Sequence, residues 1–408
     1  MCPVQTRAHH SASARWPEIT TETLPWTTGA VFGATTRRDQ AAQRGHYEAA
    51  IAPAIAALDY APSQEVAAAA EDAATETARF DAELGKEIAP FSAILLRSES
   101  AASSNIEQLT ASARSVALAE LGDMSKVNAS LIAANTAAMQ SAVALADKLD
   151  ADSILQMHRA LMETADPKEA GKWRAQQVWI GGSSFGPSGA MYVAPHHDRI
   201  PAAIDDLIAY MGRDDIPVLI QAAIAHAQFE TIHPFTDGNG RTGRALIHAL
   251  LRGKGLTRNV TVPVSAGLLA DTDAYFDALT TYRDGDPEPI ILAAANASFK
   301  AIANGRQLVA DLRRIRESWK ERIRARSHSA TWEIADLLMR QPVVNAKILN
   351  EQLGIGPTHV RRHMDVLAKV GVVQLTKIHQ RGVFWRAQEV LDVLDAFATN
   401  AGERTRAH

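Results

Sequence analysis

Thr231-Ile232-His233-Pro234-Phe235-Thr236-Asp237-Gly238-Asn239-Gly240-Arg241-Thr242-Gly243-Arg244 is the stretch on which the fold and the chemistry turn. Pro234 disfavours helical geometry at His233, so a helix running into it is expected to stop there and leave the imidazole on a loop. Gly238 and Gly240 permit positive φ. With Asn239 between them, successive N–H groups can turn inward as an anion nest. A helix starting just after adds unpaired N–H groups and the positive end of its dipole. Arg241 and Arg244 fall on one face of that helix, so both guanidiniums can reach the same anion. Asp237 puts a carboxylate into this positive site, which makes sense if a divalent metal bridges phosphates. The string reads as a site for phosphate-ester chemistry. Gly238-Asn-Gly240-Arg-Thr-Gly243 also matches GxGxxG, but a dinucleotide fold needs a preceding strand and an acidic residue ~20 positions later. Here a helix and His-Pro come first, and the next acidic residue after Asp237 is Asp271. No GxxxxGK[ST] loop is present, which excludes a P-loop enzyme.

Outward from the string, 408 residues exceed a single domain of ~100–150. Hydrophobic residues at 47% and charged residues at 22% exclude a mostly disordered chain. The single cysteine, Cys2, excludes an internal disulfide and any Cys-built zinc or iron–sulfur centre. No run of ~18 apolar residues spans a membrane. Met1–Trp16 lacks the apolar stretch of a secretory signal, so a cytoplasmic protein without membrane partners is expected. Residues 311–408 carry 17 basic and 11 acidic side chains, against 25 and 35 in the rest. That asymmetry points the C-terminal part towards an anionic partner.

The expected organisation is an extended arm over 1–40, rich in Pro, Gly, Ser and Thr, and an Ala-rich helical region over 41–150. A core follows over 151–310, then a helical linker over 311–326 and a C-terminal unit over 327–408. Within the core, Val178–Ile180 and Met191–Val193 flank a Gly/Ser turn and read as a hairpin. Near the C-terminus, helices at Trp332–Leu338 and Asn345–Leu353 precede Gly354-Ile-Gly356. Pro357 then opens a third helix, and two short strands meet around Gly382. Helix, helix, turn, helix and ribbon is the order of a winged helix-turn-helix. His158 and His226 fall on core-facing helical faces and read as structural. His196-His197-Asp198 suggests a metal, but its place after Pro195 favours Asp198 as a cap or first-turn residue.

The segment from His233 to Arg244 resembles the signature of the Fic family, HPFx[DE]GNGRxxR, at every fixed position. The resemblance extends to roughly residues 100–300. Trp179-Ile180-Gly181-Gly182 with Tyr192-Val193-Ala194-Pro195 is similar to the family's target-docking flap, with Ala194 in place of the first of two prolines. The implied fold is mainly α: an all-helical Fic core with a β-hairpin flap, here followed by the winged helix-turn-helix. The implied activity is transfer of AMP from ATP, with Mg²⁺, to a Ser, Thr or Tyr hydroxyl of a protein target. His233 then resembles the general base, Phe235 the loop anchor and Asp237 the Mg²⁺ ligand. Gly238, Asn239 and Gly240 would hold the phosphates, and Arg241 and Arg244 would neutralise the leaving pyrophosphate. Ile180, Gly181 and Gly182 would dock the target.

Upstream, Ser103-Ser-Asn-Ile-Glu107-Gln108 resembles the family's inhibitory motif, [ST]xxxE[GN], with Gln108 where Gly or Asn is usual. The resemblance implies that Glu107, with Ser103, pairs with Arg244 and competes with the γ-phosphate. On the third helix and ribbon of the C-terminal unit, His359, Arg361, Arg362 and Lys377, with Lys369 and Arg381, suit contacts to DNA. A protein partner or dimerisation module, and hence a homodimer, is the other reading of that unit. The alternative function is a nucleotide-sensing, DNA-binding transcription regulator, or a Fic enzyme that uses another nucleotide or removes AMP.

Overall fold

The computed structural model describes residues 15–27, 44–85, 88–183, 186–378 and 382–402. Strands β1 (Thr20–Thr27) and β2 (Arg44–Ile51) pair antiparallel, with Leu24 opposite Tyr47. Helices α1 (Gln64–Leu84), α2 (Ile88–Ile106), α3 (Ala113–Glu120), α4 (Val127–Ala144) and α5 (Ala151–Met162) follow. The two-residue strands β3 (Trp179–Ile180) and β4 (Tyr192–Val193) make the flap. Next come α6 (Ile200–Met211), α7 (Val218–Ile232), α8 (Asn239–Gly253), α9 (Val264–Leu269), α10 (Thr272–Arg283) and α11 (Glu288–Arg322). The C-terminal unit is α12 (Ala330–Arg340), β5 (Val343–Asn345), α13 (Ala346–Leu353), α14 (Pro357–Lys369), β6 (Gln374–Ile378), β7 (Gly382–Arg386) and α15 (Gln388–Gly402).

Two of the expectations fail at the N-terminal end. The arm drawn over 1–40 contains β1, and the helical region drawn from 41 begins with β2. Thr20-Thr-Glu-Thr-Leu-Pro-Trp-Thr is rich in the β-branched and aromatic residues that favour strands. Pro25 hid this, but a proline is tolerated on an edge strand, and β1 has β2 on one side only. Trp26 stands edge-on to both Tyr47 and the flap residue Trp179, which ties the hairpin to the flap. Met1–Ala14, including Cys2 and His9-His10, lies outside the described residues.

α7 has no exposed face: every residue from Leu219 to Ile232 is buried, Gln221, Gln228 and Glu230 included. A helix buried all round lies at the centre of a core, and α7 packs there against α6, α8, α10 and α11. α8 is buried almost as completely, from Arg241 to Leu251. The His233–Arg244 string therefore joins two interior helices.

The linker drawn over 311–326 is mostly the end of α11, one helix about 50 Å long. Leu312, Trp319 and Ile323 on it are buried. Trp319 donates to Glu389 (2.6 Å), and Arg322 pairs with the same carboxylate (2.7 Å). Beyond it, β5 and β6 flank β7 in one antiparallel sheet. This unit shares the main core: Leu338, Val360, Leu367 and Trp385 belong to the same buried cluster as Leu95 and Phe229. It also packs on α2 through α12 and α15. Arg97 of α2 donates to Glu120 (2.9 Å) and Gln341 (2.7 Å), and to the Arg340 carbonyl. The helix carrying Ser103 and Glu107 is thus braced from the C-terminal side.

Candidate active site

Pro234 ends α7 as expected. His233 caps the helix in the left-handed region at φ 49°, and its N–H donates to the Phe229 carbonyl. A non-glycine residue held there carries backbone strain of about 1–3 kcal/mol and needs support from its surroundings. Arg174 supplies it, which the sequence did not suggest. Its Nε donates to the His233 carbonyl (2.9 Å), its backbone N–H to the Pro234 carbonyl (3.0 Å), and Nη2 to the Pro195 carbonyl at the end of the flap (2.6 Å). One buried guanidinium ties the His233 loop to the end of the flap. Phe235 is fully buried, with His158 stacked on it at 3.6 Å and Trp173 at 5.1 Å. His158 accepts from the Gly171 N–H at Nδ1, so its Nε2 is left to donate to the Asp237 carbonyl (3.1 Å). The structural roles read for His158 and His226 fit their burial, and His226 bonds the Tyr275 hydroxyl (2.7 Å).

The turn departs from a two-glycine nest. Gly238 has φ 77°, but Gly240 is already helical, because α8 begins at Asn239. What favours glycine at 240 is space: a Cβ there would displace the Glu107 carboxylate and crowd Arg244. The Asn239 side chain is used up within the loop, accepting from the Phe235 N–H and donating to the Phe235 carbonyl, each at 2.9 Å. It can offer an anion only its backbone N–H, which as part of the first helical turn has no intrahelical partner. Asp237 accepts from the Gly238 N–H at Oδ1 and keeps 69% of its side chain exposed. Arg241 is 4% exposed, and its Nε and Nη1 have no partner. Orphaned buried donors of this kind call for an anion.

Arg244 is different. It is 1% exposed and fully engaged by the end of α2: Nε donates to Ser103 Oγ (2.9 Å), and Nη2 donates to the Ser103 carbonyl (2.9 Å) and Glu107 Oε1 (2.8 Å). Burial works against the Arg244 charge, but the Glu107 carboxylate outweighs it and raises the pKa. Burial likewise opposes the Glu107 charge, and Arg244 outweighs it, holding that carboxyl below its usual range. α2 is further pinned by Glu99, which is buried and accepts from His248 (2.7 Å) and the Ser265 N–H (2.8 Å). Gln108, the departure noted in the sequence, has φ 61°. That conformation explains why Gly or Asn suits the position. We expect Gln108→Gly to stabilise the fold by about 0.5–1 kcal/mol, the left-handed penalty less the entropy a glycine adds to the unfolded chain. Denaturant unfolding measures this, and a lower midpoint in the variant would contradict it.

Glu230, one turn before His233, was also missed. It is buried, its Oε1 has no partner, and its Oε2 lies 3.8 Å from His233 Nδ1. Burial pushes its pKa up to about 7. Burial, with Arg283 close by, lowers His233 to about 4, so the imidazole is neutral at ordinary pH. Its Nδ1 faces the Glu230 carbonyl at 3.4 Å.

The flap residues Ile180, Gly181 and Gly182 are exposed, with both glycines at positive φ. His359, Arg361 and Arg362 are exposed together on α14. The Lys377 side chain lies outside the described residues, as does Arg381.

Residues 148–251 match the model of the Fic/DOC family. A protein adenylyltransferase fic-1 of Caenorhabditis elegans is 34% identical over 160 residues, 38% of this chain and 28% of the relative. A protein adenylyltransferase Fic of Nematostella vectensis is 29% identical over 166 residues, covering 38% and 34%. The chain therefore spans about a third or less of the length of these curated relatives. A solved Fic family protein of Desulfovibrio desulfuricans superimposes with a TM-score of 0.50 at 20% identity, over 80% of this chain and 97% of that one, and so shares its fold. Residues 148–251, the His233–Arg244 string among them, are thus similar to the Fic/DOC domain.

Proposed function

We propose that this protein is an adenylyltransferase that moves AMP from ATP to a Ser, Thr or Tyr hydroxyl of a protein target and is held back by Glu107. The observation that carries this is the contrast between two buried arginines of one turn: Arg241 keeps unpartnered donors for an anion, while Ser103 and Glu107 occupy Arg244. With Glu107 withdrawn, both guanidiniums and the N–H groups opening α8 converge on a triphosphate. Asp237, whose largely exposed carboxylate meets Arg241 only at 3.5 Å, offers hard oxygen donors and would hold Mg²⁺ there. The ion would supply charge neutralisation between phosphates.

Nδ1 of His233 faces the Glu230 carbonyl and carboxyl, which keeps the proton on Nδ1 and leaves Nε2 as the acceptor. The target hydroxyl loses its proton to Nε2 as its oxygen bonds the α-phosphorus and the bond to pyrophosphate breaks. Arg241 and Arg244 take up the charge on the leaving group. The imidazolium formed lies beside Glu230, whose ionised form stabilises it.

Two consequences are measurable. kcat/KM is expected to rise through pH ~7 as Glu230 ionises, because the unliganded protein's groups govern that ratio. Glu230→Gln should remove this inflection and slow transfer by about tenfold. An unchanged profile would leave Glu230 a packing residue. Labelled ATP incubated with the protein and a cell lysate tests the activity itself. Labelled protein bands support it; no labelling, together with a sequence-specific DNA band shift, would favour the regulator reading for the exposed basic face of α14.

A further inference from the structure

The chain leaves the flap through Ala194 and Pro195 and enters a single helical turn, His197–Arg199. Asp198 lies in that turn, but it is not the cap. His196 is, its Nδ1 accepting the Asp198 N–H at 3.4 Å. The Asp198 carboxylate is thereby free to face both imidazoles: Oδ2 is 3.4 Å from His196 Nδ1 and Oδ1 is 3.6 Å from His197 Nε2. The two rings are 4.0 Å apart, centre to centre. One ligating atom from each residue lies within 4.8 Å of the other two, the only such group of three among the described residues.

Metal–ligand bonds of about 2.0–2.2 Å place neighbouring donors of a tetrahedral zinc site ~3.3–3.5 Å apart. The two separations above fall in or next to that range. We propose that His196, His197 and Asp198 form a binding site for Zn²⁺ at the exit of the flap. Two imidazole nitrogens and one carboxylate oxygen favour a borderline ion such as Zn²⁺ over Mg²⁺, so this site is chemically separate from Asp237. The imidazoles are about 30% exposed and Asp198 is 80% exposed, which leaves water to complete the coordination. Burial holds His197 below its ordinary pKa, keeping its lone pair available. The cost is the long hydrogen bond at His196 Nδ1, a weak one.

The position gives the ion leverage. Pro195, directly before the site, is tied through Arg174 to the His233 carbonyl. Arg199, directly after it, pairs with Glu22 of β1 at 2.6 and 2.8 Å. An ion at 196–198 fixes the turn on which flap, N-terminal hairpin and catalytic loop meet.

The test is calorimetric titration of the full chain with Zn²⁺ in excess Mg²⁺, with Co²⁺ substitution to read ligand number from its absorption. One equivalent is expected to bind, with His197→Ala and Asp198→Asn each weakening it about 10–100-fold or more. Asp237→Ala and the double variant His9→Ala/His10→Ala should bind as the parent does. All these changes are in exposed or half-exposed side chains or in the N-terminal segment, and circular dichroism confirms that each variant folds. Equal binding by the His197 and Asp198 variants, or no saturable binding below millimolar Zn²⁺, overturns the assignment.

Discussion

His233→Ala is expected to slow AMP transfer by about 10²–10⁴-fold, the usual contribution of a general base. Binding of Mg²⁺–ATP should change little, because Arg241, Arg244 and the N–H groups opening α8 are untouched. The residue also closes α7 in a left-handed conformation, where alanine is no better suited than histidine. The carbonyl contact with Arg174 is made by backbone and persists in the variant. The loss should therefore fall on kcat and leave the KM for ATP near the parent value, separating proton transfer from nucleotide positioning. Steady-state labelling with varied ATP measures both. A large rise in KM at unchanged kcat would assign His233 to binding.

Glu107→Gly should act in the opposite direction. A charge-assisted hydrogen bond contributes about 1.5–3 kcal/mol, and the 39% exposure of the Glu107 side chain places this one at the low end. Its loss predicts about tenfold faster automodification and target labelling. Stability should fall with it, because Arg244 stays buried and loses its carboxylate partner. The melting temperature of the variant should consequently recover on adding Mg²⁺–ATP by more than the parent's rises, since nucleotide replaces the missing anion. Labelling no faster than the parent at saturating Mg²⁺–ATP would mean that Glu107 does not compete for the γ-phosphate position.

How much of this was legible depended on whether a feature was local. The break at His233–Pro234, the left-handed Gly238 and the two arginines on one helical face follow from spacing and backbone rules, and the turn shows them. The order of the C-terminal elements was readable for the same reason. What escaped were contacts made across the fold. Glu230 looked like one more polar residue in a helix until α7 proved to be central. Arg174 sits in an irregular segment, and only tertiary packing brings its guanidinium to the carbonyls of His233 and Pro195. Gly240 permits positive φ but does not use it, and what lies against it is the Glu107 carboxylate. Of the two places open to Asp198, cap or first turn, it holds the second, and His196 is the cap. The Arg-rich end of α11 is helical, as a helical linker requires, but Leu312 and Trp319 dock one face of it into the core. β1 was hidden by Pro25, whose missing N–H matters less on an edge.

Intact-mass spectrometry of Glu107→Gly after incubation with Mg²⁺–ATP tests the account most directly, with Glu107→Gly/His233→Ala beside it. The account predicts a gain of one or more adenylyl groups on the first protein, faster than on the parent, and none on the second. A gain of some other mass, or equal modification of both variants, would contradict it.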